Sequence, residues 1–221
     1  LLALLIHISP RWIAALGVVI VAGHELLAPI DAAALGAFGP LWSALFELRV
    51  LGNVPGLIAY PLIPWFGIMC LGYGLGFVFT LAPTRRSRVL VFMGTGALLT
   101  FLILRAINGY GDPARWQHFP SALQTVLSFF NVSKYPPSLL YVLVTLGISL
   151  LLVPALEHLR GPVARALLAF GRTPLFTYVL HIYLAHGAGL IVVVLTGFSA
   201  ALFTIFIADP SPLVRAQWGF S

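Results

Sequence analysis

Charge is what this sequence has least of. Asp, Glu, Lys and Arg make up 8% of its 221 residues, whereas soluble domains carry about a quarter. That scarcity excludes a soluble globular fold, whose surface needs polar cover. Cysteine is almost absent as well. Cys70 stands alone inside an apolar run, so no internal disulfide can form, and a thiol in that setting behaves as a small hydrophobe. Walker loop, dinucleotide fingerprint and nucleophile elbow are all missing, and no internal repeat or low-complexity tract is found.

What the chain has instead is apolar length. Hydrophobic residues account for 60% of it, gathered in runs that reach the roughly 20 residues needed to cross a bilayer. The expected fold is all-α, a polytopic transmembrane helical bundle forming a single integral membrane domain over 1–221. About five complete spans are expected, after a partial one at 1–8. The complete spans are expected at 12–30, 56–81, 89–107, 138–156 and 174–197. In the second, "YPLIPWFG" predicts a kink or re-entrant start, because Pro61 and Pro64 remove backbone donors. Below it Gly67, Gly72, Gly74 and Gly76 predict a smooth face for a close helix neighbour. The stretch "SAALFTIFIADP" is too short to span. Since the chain opens on Leu1 and ends at Ser221, it is expected to be the later part of a larger bundle.

The net charge of +6 would suggest nucleic acid in a soluble protein. Here the arginines sit between apolar runs, so their expected job is orientation and no nucleic-acid partner follows. Arg11, then Arg85, Arg86 and Arg88 in "PTRRSR", then Arg160, Arg165 and Arg172 in "EHLRGPVARALLAFGRT" mark the cytoplasmic segments. The segments near 31–54 and 108–137 and the tail hold four basic residues beside four of the six acids, and so face outward. Trp12, Trp65, Trp116 and Trp218 fall near span ends, where interfacial anchors belong.

Ionisable groups inside a span are costly and are therefore candidates. His24 and Glu25 stand near the outer end of the first span, either as a hydrogen-bonded acid/base pair or as an interfacial pair. In the fifth, "TYVLHIYLAHG" places Tyr178, His181 and Tyr183 within the membrane and His186 nearer its outer end. His181 and His186 stand about 140° apart on a helix, so no metal is expected there. The outer loop carries the densest polar set: Asn108, Tyr110, Asp112, Arg115, His118, Asn131, Ser133, Lys134 and Tyr135. Asp112, His118 and Lys134 could hold or deprotonate a polar acceptor. Arg85, Arg86, Arg88 and Arg172 could meet the phosphates of a cytoplasmic nucleotide or coenzyme A, because guanidinium forks suit phosphate. Solvated helix caps and charge-rule arginines explain the same residues without a ligand.

Three stretches, "YPLIPWFGIMCLGYGLG", "SFFNVSKYPPSLLYVLVTLG" and "FGRTPLFTYVLHIYLAH", resemble the bacterial membrane proteins related to the heparan-α-glucosaminide N-acetyltransferase catalytic domain. "NVSKYPPSLLY" is the most specific part. The resemblance implies a transmembrane acyltransferase of the bacterial inner membrane. Acetyl-coenzyme A is its expected acyl donor from the cytoplasm, and a small-molecule or glycan amine or hydroxyl its acceptor on the outer side. It implies a catalytic histidine ahead of Leu1, matched by none of the six histidines here. By position it places Asn131, Lys134, Tyr135, Arg172, Tyr178 and His181 along the pocket. Besides lipid and acceptor, a second copy of the chain is an expected partner. A multi-span transporter or flippase, suited by kinked glycine-rich spans and buried histidine, and a non-catalytic membrane protein remain open alternatives.

Overall fold

The computed structural model describes residues 2–47, 49–50, 57–58 and 60–196. The chain divides into two compact units, Leu1–His158 and Leu159–Ser221. The fold is all-α. Among the described residues, five helical segments are long and apolar enough to cross a membrane.

In the first unit, α1 (Leu2–Leu5) precedes α2 (Pro10–Gly23). Pro10 opens α2, where a missing N–H costs nothing and a fixed φ suits the helix. A 3-10 turn, His24–Leu27, extends it, so the apolar segment covers Pro10–Leu27. After a second 3-10 stretch, Ala32–Phe38, comes α3 (Gly39–Phe46). The two-residue strands β1 (Arg49–Val50) and β2 (Leu57–Ile58) then pair antiparallel.

Helix α4 (Leu62–Leu75) continues into a 3-10 turn, Gly76–Thr80. The kink expected from its prolines is absent, because Pro61 is the N-cap and Pro64 falls in the first turn. The first four N–H groups of a helix have no partner within it, so a proline there removes no bond. The expected start at residue 56 lies outside the described residues.

Helix α5 runs Pro83–Ile107, starting six residues earlier than expected. "PTRRSR" is therefore the opening of the helix rather than a loop, and Arg86 pairs with Glu157 at 2.9 Å. The outer loop is not structureless, since it contains α6 (Ala122–Phe130). Helix α7 (Leu139–Glu157) follows, one residue from its expected limits.

Glycine decides how the spans pair. A Cβ on Gly17 of α2 would meet the Gly67 carbonyl at 2.8 Å and the Leu71 N–H at 2.7 Å. One on Gly67 would meet Ile20, and one on Gly74 would meet Ala14. Gly72 and Gly76, expected on the same smooth face, have nothing within 4 Å among the described residues. Helices α5 and α7 approach likewise, with Gly94 and Gly147 against each other's carbonyls. In lipid, where apolar burial gives helices little drive to associate, such backbone proximity supplies the packing. Val78, Leu90 and Leu150 are buried alongside, flanked by Leu75, Leu81, Leu146 and Val153.

The second unit holds α8 (Pro162–Arg172) and α9 (Pro174–Thr196). Gly161 takes φ +85° just before α8, a left-handed conformation that favours glycine. Thr173 caps the junction, donating to the Ala169 carbonyl at 3.0 Å, while the Thr177 hydroxyl donates to Phe170 at 3.1 Å. The expected end at 197, the stretch "SAALFTIFIADP" and Trp218 lie outside the described residues.

Candidate functional site

The N-terminus of α7 organises the site. Four N–H groups at a helix start lack intrahelical partners, and here the leading ones are supplied from three elements. Leu139 donates to Glu25 Oε1 at 2.9 Å, Leu140 to the Gly111 carbonyl at 2.8 Å, and Tyr141 to the Ser138 hydroxyl at 3.0 Å. Negative charge also suits this end of the helix dipole. Asp112 completes the arrangement: Oδ2 accepts from the Ser138 hydroxyl and the Ser133 N–H, both at 2.7 Å. Its Oδ1 accepts from the Ala114 N–H at 2.8 Å and the Ser133 hydroxyl at 3.0 Å. Asp112 is thus a clasp between the two ends of the outer loop.

A cavity of about 490 Å³ opens beside this clasp, lined by His24, Glu25, Trp42, Phe46, Glu47, Tyr110, Asp112, Arg115 and Ser138 among others. Its volume suits a small-molecule ligand. His24 is buried, and its Nδ1 lies 3.2 and 3.1 Å from the carbonyls of Ile20 and Val21. Carbonyls only accept, so Nδ1 carries the hydrogen, and a neutral ring keeps its acceptor at Nε2. The Ser43 hydroxyl, wholly buried, donates to Glu47 Oε2 at 2.9 Å. The Trp42 and Phe46 rings lie 4.4 Å apart and give the cavity an aromatic wall. Tyr110 donates to the Ala22 carbonyl. Burial, and then the nearby Glu25 carboxylate, push its hydroxyl above the ordinary tyrosine range. Three carboxylates against Arg115 give the cavity an acidic lining that can accept hydrogen bonds from hydroxyl or ammonium groups.

Of the sequence candidates, His24 and Asp112 meet on this cavity, with Tyr110 and Arg115. Asn131 contributes its carbonyl elsewhere, to Arg105. Lys134 and Tyr135 belong to a neighbouring aromatic cluster. The Lys134 ammonium sits 5.1 Å above the Tyr135 ring, whose hydroxyl lies 3.4 Å from that of Tyr60. Trp65 packs against both tyrosines. The Tyr60 hydrogen bond, and after it Lys134, hold the Tyr135 hydroxyl below its ordinary range, and the contact with Tyr135 raises Lys134. His118 packs edge-on to Trp116 and is exposed. The Tyr178 and His181 rings lie 5.2 Å apart in a tilted contact in the second unit, both exposed, as is Arg172. Arg85 and Arg88 are exposed near the start of α5.

Arg105 lies inside the expected span 89–107, and the sequence did not reveal its role. It is 2% exposed, and its guanidinium donates to the carbonyls of Ala114, Ser128, Phe129 and Asn131 at 2.7–3.0 Å. It therefore caps the C-terminal end of α6 and ties it to α5. Trp116 Nε1 donates back to the Arg105 carbonyl at 2.7 Å, so this tryptophan braces the loop against the end of α5. The available signal was an arginine inside the last turn of an apolar helix, a costly placement that demands partners. No protein-family model, curated protein or solved structure matches this chain.

Proposed function

We propose that the chain is the acceptor-binding part of a membrane acyltransferase of the bacterial inner membrane, which moves an acetyl group from cytoplasmic acetyl-coenzyme A to an amine or hydroxyl of a sugar-like acceptor outside. One observation carries the reading. The stretch "NVSKYPPSLLY", on which the family resemblance is most specific, supplies Ser133 and Ser138 to the Asp112 clasp and Pro136 and Ser138 to the cavity wall. An acidic cavity with an aromatic wall suits a ring bearing hydroxyl or amino groups.

Sidedness supports it too. The cavity lies where α2 and α5 end and α7 begins, whereas Arg85, Arg86 and Arg88 open α5. A helix of 25 residues is about 37 Å long, so donor phosphates at the arginine end and acceptor at the cavity end are separated by the bilayer. The helix N-terminus there reinforces the arginines for phosphate. In the transfer, the acceptor nitrogen or oxygen bonds to the acetyl carbon as the thioester C–S bond breaks. The acceptor proton passes to a base, and coenzyme A leaves as its thiol. The resemblance assigns that base to a histidine ahead of Leu1, while Glu25 orients the acceptor.

The test uses the intact protein, including the segment that carries this histidine, in oriented membrane vesicles, with labelled acetyl-coenzyme A on the arginine side and hexosamines on the other. Acetylated product is expected, and Glu25→Gln should lower its rate about 10–100-fold, the loss of one charge-assisted hydrogen bond. Glutamine can still accept from the Leu139 N–H, so the fold is retained. Acceptor crossing the membrane without acetylation would establish transport instead, and unaltered transfer by Glu25→Gln would remove this cavity from the reaction.

A further inference from the structure

No residue of α8 is buried, and Val163, Leu167, Leu168 and Phe170 are all exposed. At about 100° per residue, Val163, Leu167 and Phe170 fall within an arc of about 60°. Arg165 and Arg172, seven residues apart, stand within about 20° of each other on the opposite side. The helix therefore has one apolar face and one cationic face, with Leu168 on the cationic side about 40° from Arg172. Within 162–173 the helix carries Arg165 and Arg172 and no Asp or Glu.

Chain length fixes where such a helix can be. Thr173 alone separates α8 from α9, whose apolar segment begins at Pro174. A helix of 11 residues is about 16 Å long, so with Thr173 all of α8 lies within about 20 Å of the start of that span.

We propose that α8 is an interfacial anchor that binds the anionic lipid of the cytoplasmic leaflet, with Val163, Leu167 and Phe170 among the acyl chains and Arg165 and Arg172 on lipid phosphates. Two properties select lipid as the occupant. The apolar arc is too narrow to cross the bilayer alone but matches a helix half-sunk in the headgroup boundary. The arginines, which present forked donors, match phosphate at the same depth. Arg172 then serves the membrane surface rather than the acyl donor, and the inference stands whether or not the chain transfers acetyl groups.

The experiment uses the protein in nanodiscs, with the buried Cys70 replaced (Cys70→Ala) and an environment-sensitive fluorophore attached through Leu167→Cys or, separately, Arg165→Cys. With phosphatidylglycerol present, the label at position 167 should be quenched several-fold more strongly by acyl-chain nitroxides than the label at 165, and the order should reverse with a water-soluble quencher. Removing phosphatidylglycerol, or introducing Arg165→Gln with Arg172→Gln into the Leu167→Cys protein, should reduce the lipid quenching at 167. Arg172→Gln alone should give an intermediate loss. Equal access of both labels to the aqueous quencher would overturn the proposal, as would a label at 167 shielded from both quenchers by protein. So would a response at 167 to coenzyme A in nanodiscs of phosphatidylcholine that phosphatidylglycerol does not produce, which would assign the arginines to a soluble phosphate.

Discussion

Removing the Asp112 carboxylate should unfasten the outer loop, and the cost can be worked from its four bonds. Two accepted donors are backbone N–H groups, one on each oxygen: Ala114 on Oδ1 and Ser133 on Oδ2. In Asp112→Asn, one oxygen becomes an NH2 that faces a backbone N–H whichever way the amide turns. Oδ2 stays an oxygen, because it accepts both the Ser138 hydroxyl and the part-buried Ser133 N–H, whereas the Ala114 N–H on Oδ1 is exposed. The amide nitrogen therefore turns toward the exposed Ala114, whose N–H can go to water, and the Ser133 hydroxyl rotates to accept. The expected loss is about 1–2 kcal/mol, one hydrogen bond and its charge assistance. Asp112→Ala offers no such rearrangement. It strands the Ser133 N–H and the Ser138 hydroxyl, at about 1–3 kcal/mol each, so about 3–5 kcal/mol is expected in all. Unfolding by increasing SDS fraction in mild-detergent micelles measures both. Adding Ser138→Ala to Asp112→Ala should cost less than the sum of the two single changes, because the residues share a bond. An Asp112→Ala protein as stable as the parent would refute the clasp.

Gly17→Ala should destabilise by about 1–3 kcal/mol, since its Cβ would press on the backbone of Gly67 and Leu71. Gly72→Ala, with open space around it, should be neutral or gain a few tenths of a kcal/mol in the same assay. Arg105→Leu should cost roughly 2–4 kcal/mol by stranding the carbonyls at the end of α6, and limited proteolysis should then cut within 114–131 before any span. The Tyr110 hydroxyl is held above its ordinary range, so the unfolded chain loses that proton first. Its stabilising contribution is complete below about pH 10 and falls as pH rises through the folded value. Tyr110→Phe should remove that component of the alkaline fall, together with about 1 kcal/mol at neutral pH. Tyr135 is shifted the opposite way, so its phenolate absorbance should appear before that of Tyr110. Lys134→Met should delay it and Tyr135→Phe abolish it.

The spans were legible because a bilayer imposes one requirement on sequence, length of apolar run, and 139–157 meets it with almost no ambiguity. Their edges were less so. "PTRRSR" reads as a loop by polarity, yet arginine stems can lie along an apolar surface while the charged heads reach water, and α5 runs through it. "YPLIPWFG" reads as a kink if the helix begins before it and as a normal first turn if it begins at Leu62. Propensity alone does not choose between those starts. Among the glycines, Gly67 and Gly74 lie seven residues apart on one face of α4, so both meet α2, while Gly72 and Gly76 do not.

The site was legible as a polar concentration, but the division of labour within it was not. Asp112 bonds residues 21 and 26 positions away, and Glu25 reaches 114 positions to Leu139. No periodicity encodes those separations, which exist only once α2, α5 and α7 are packed. That packing also accounts for the acidity of the cavity. A helix that starts at a crowded junction needs acceptors for its first N–H groups, and carboxylates are the strongest available because the dipole favours their charge. Glu25 and Asp112 are therefore placed by the requirements of α7 before any ligand is considered. Whatever binds beside them meets two carboxylates whose positions are already fixed, and so pays little to order them. The two should then separate under mutation. Asp112, with both oxygens engaged by four donors, should affect stability first, whereas Glu25→Gln can keep its helix cap while losing the charge a ligand would meet.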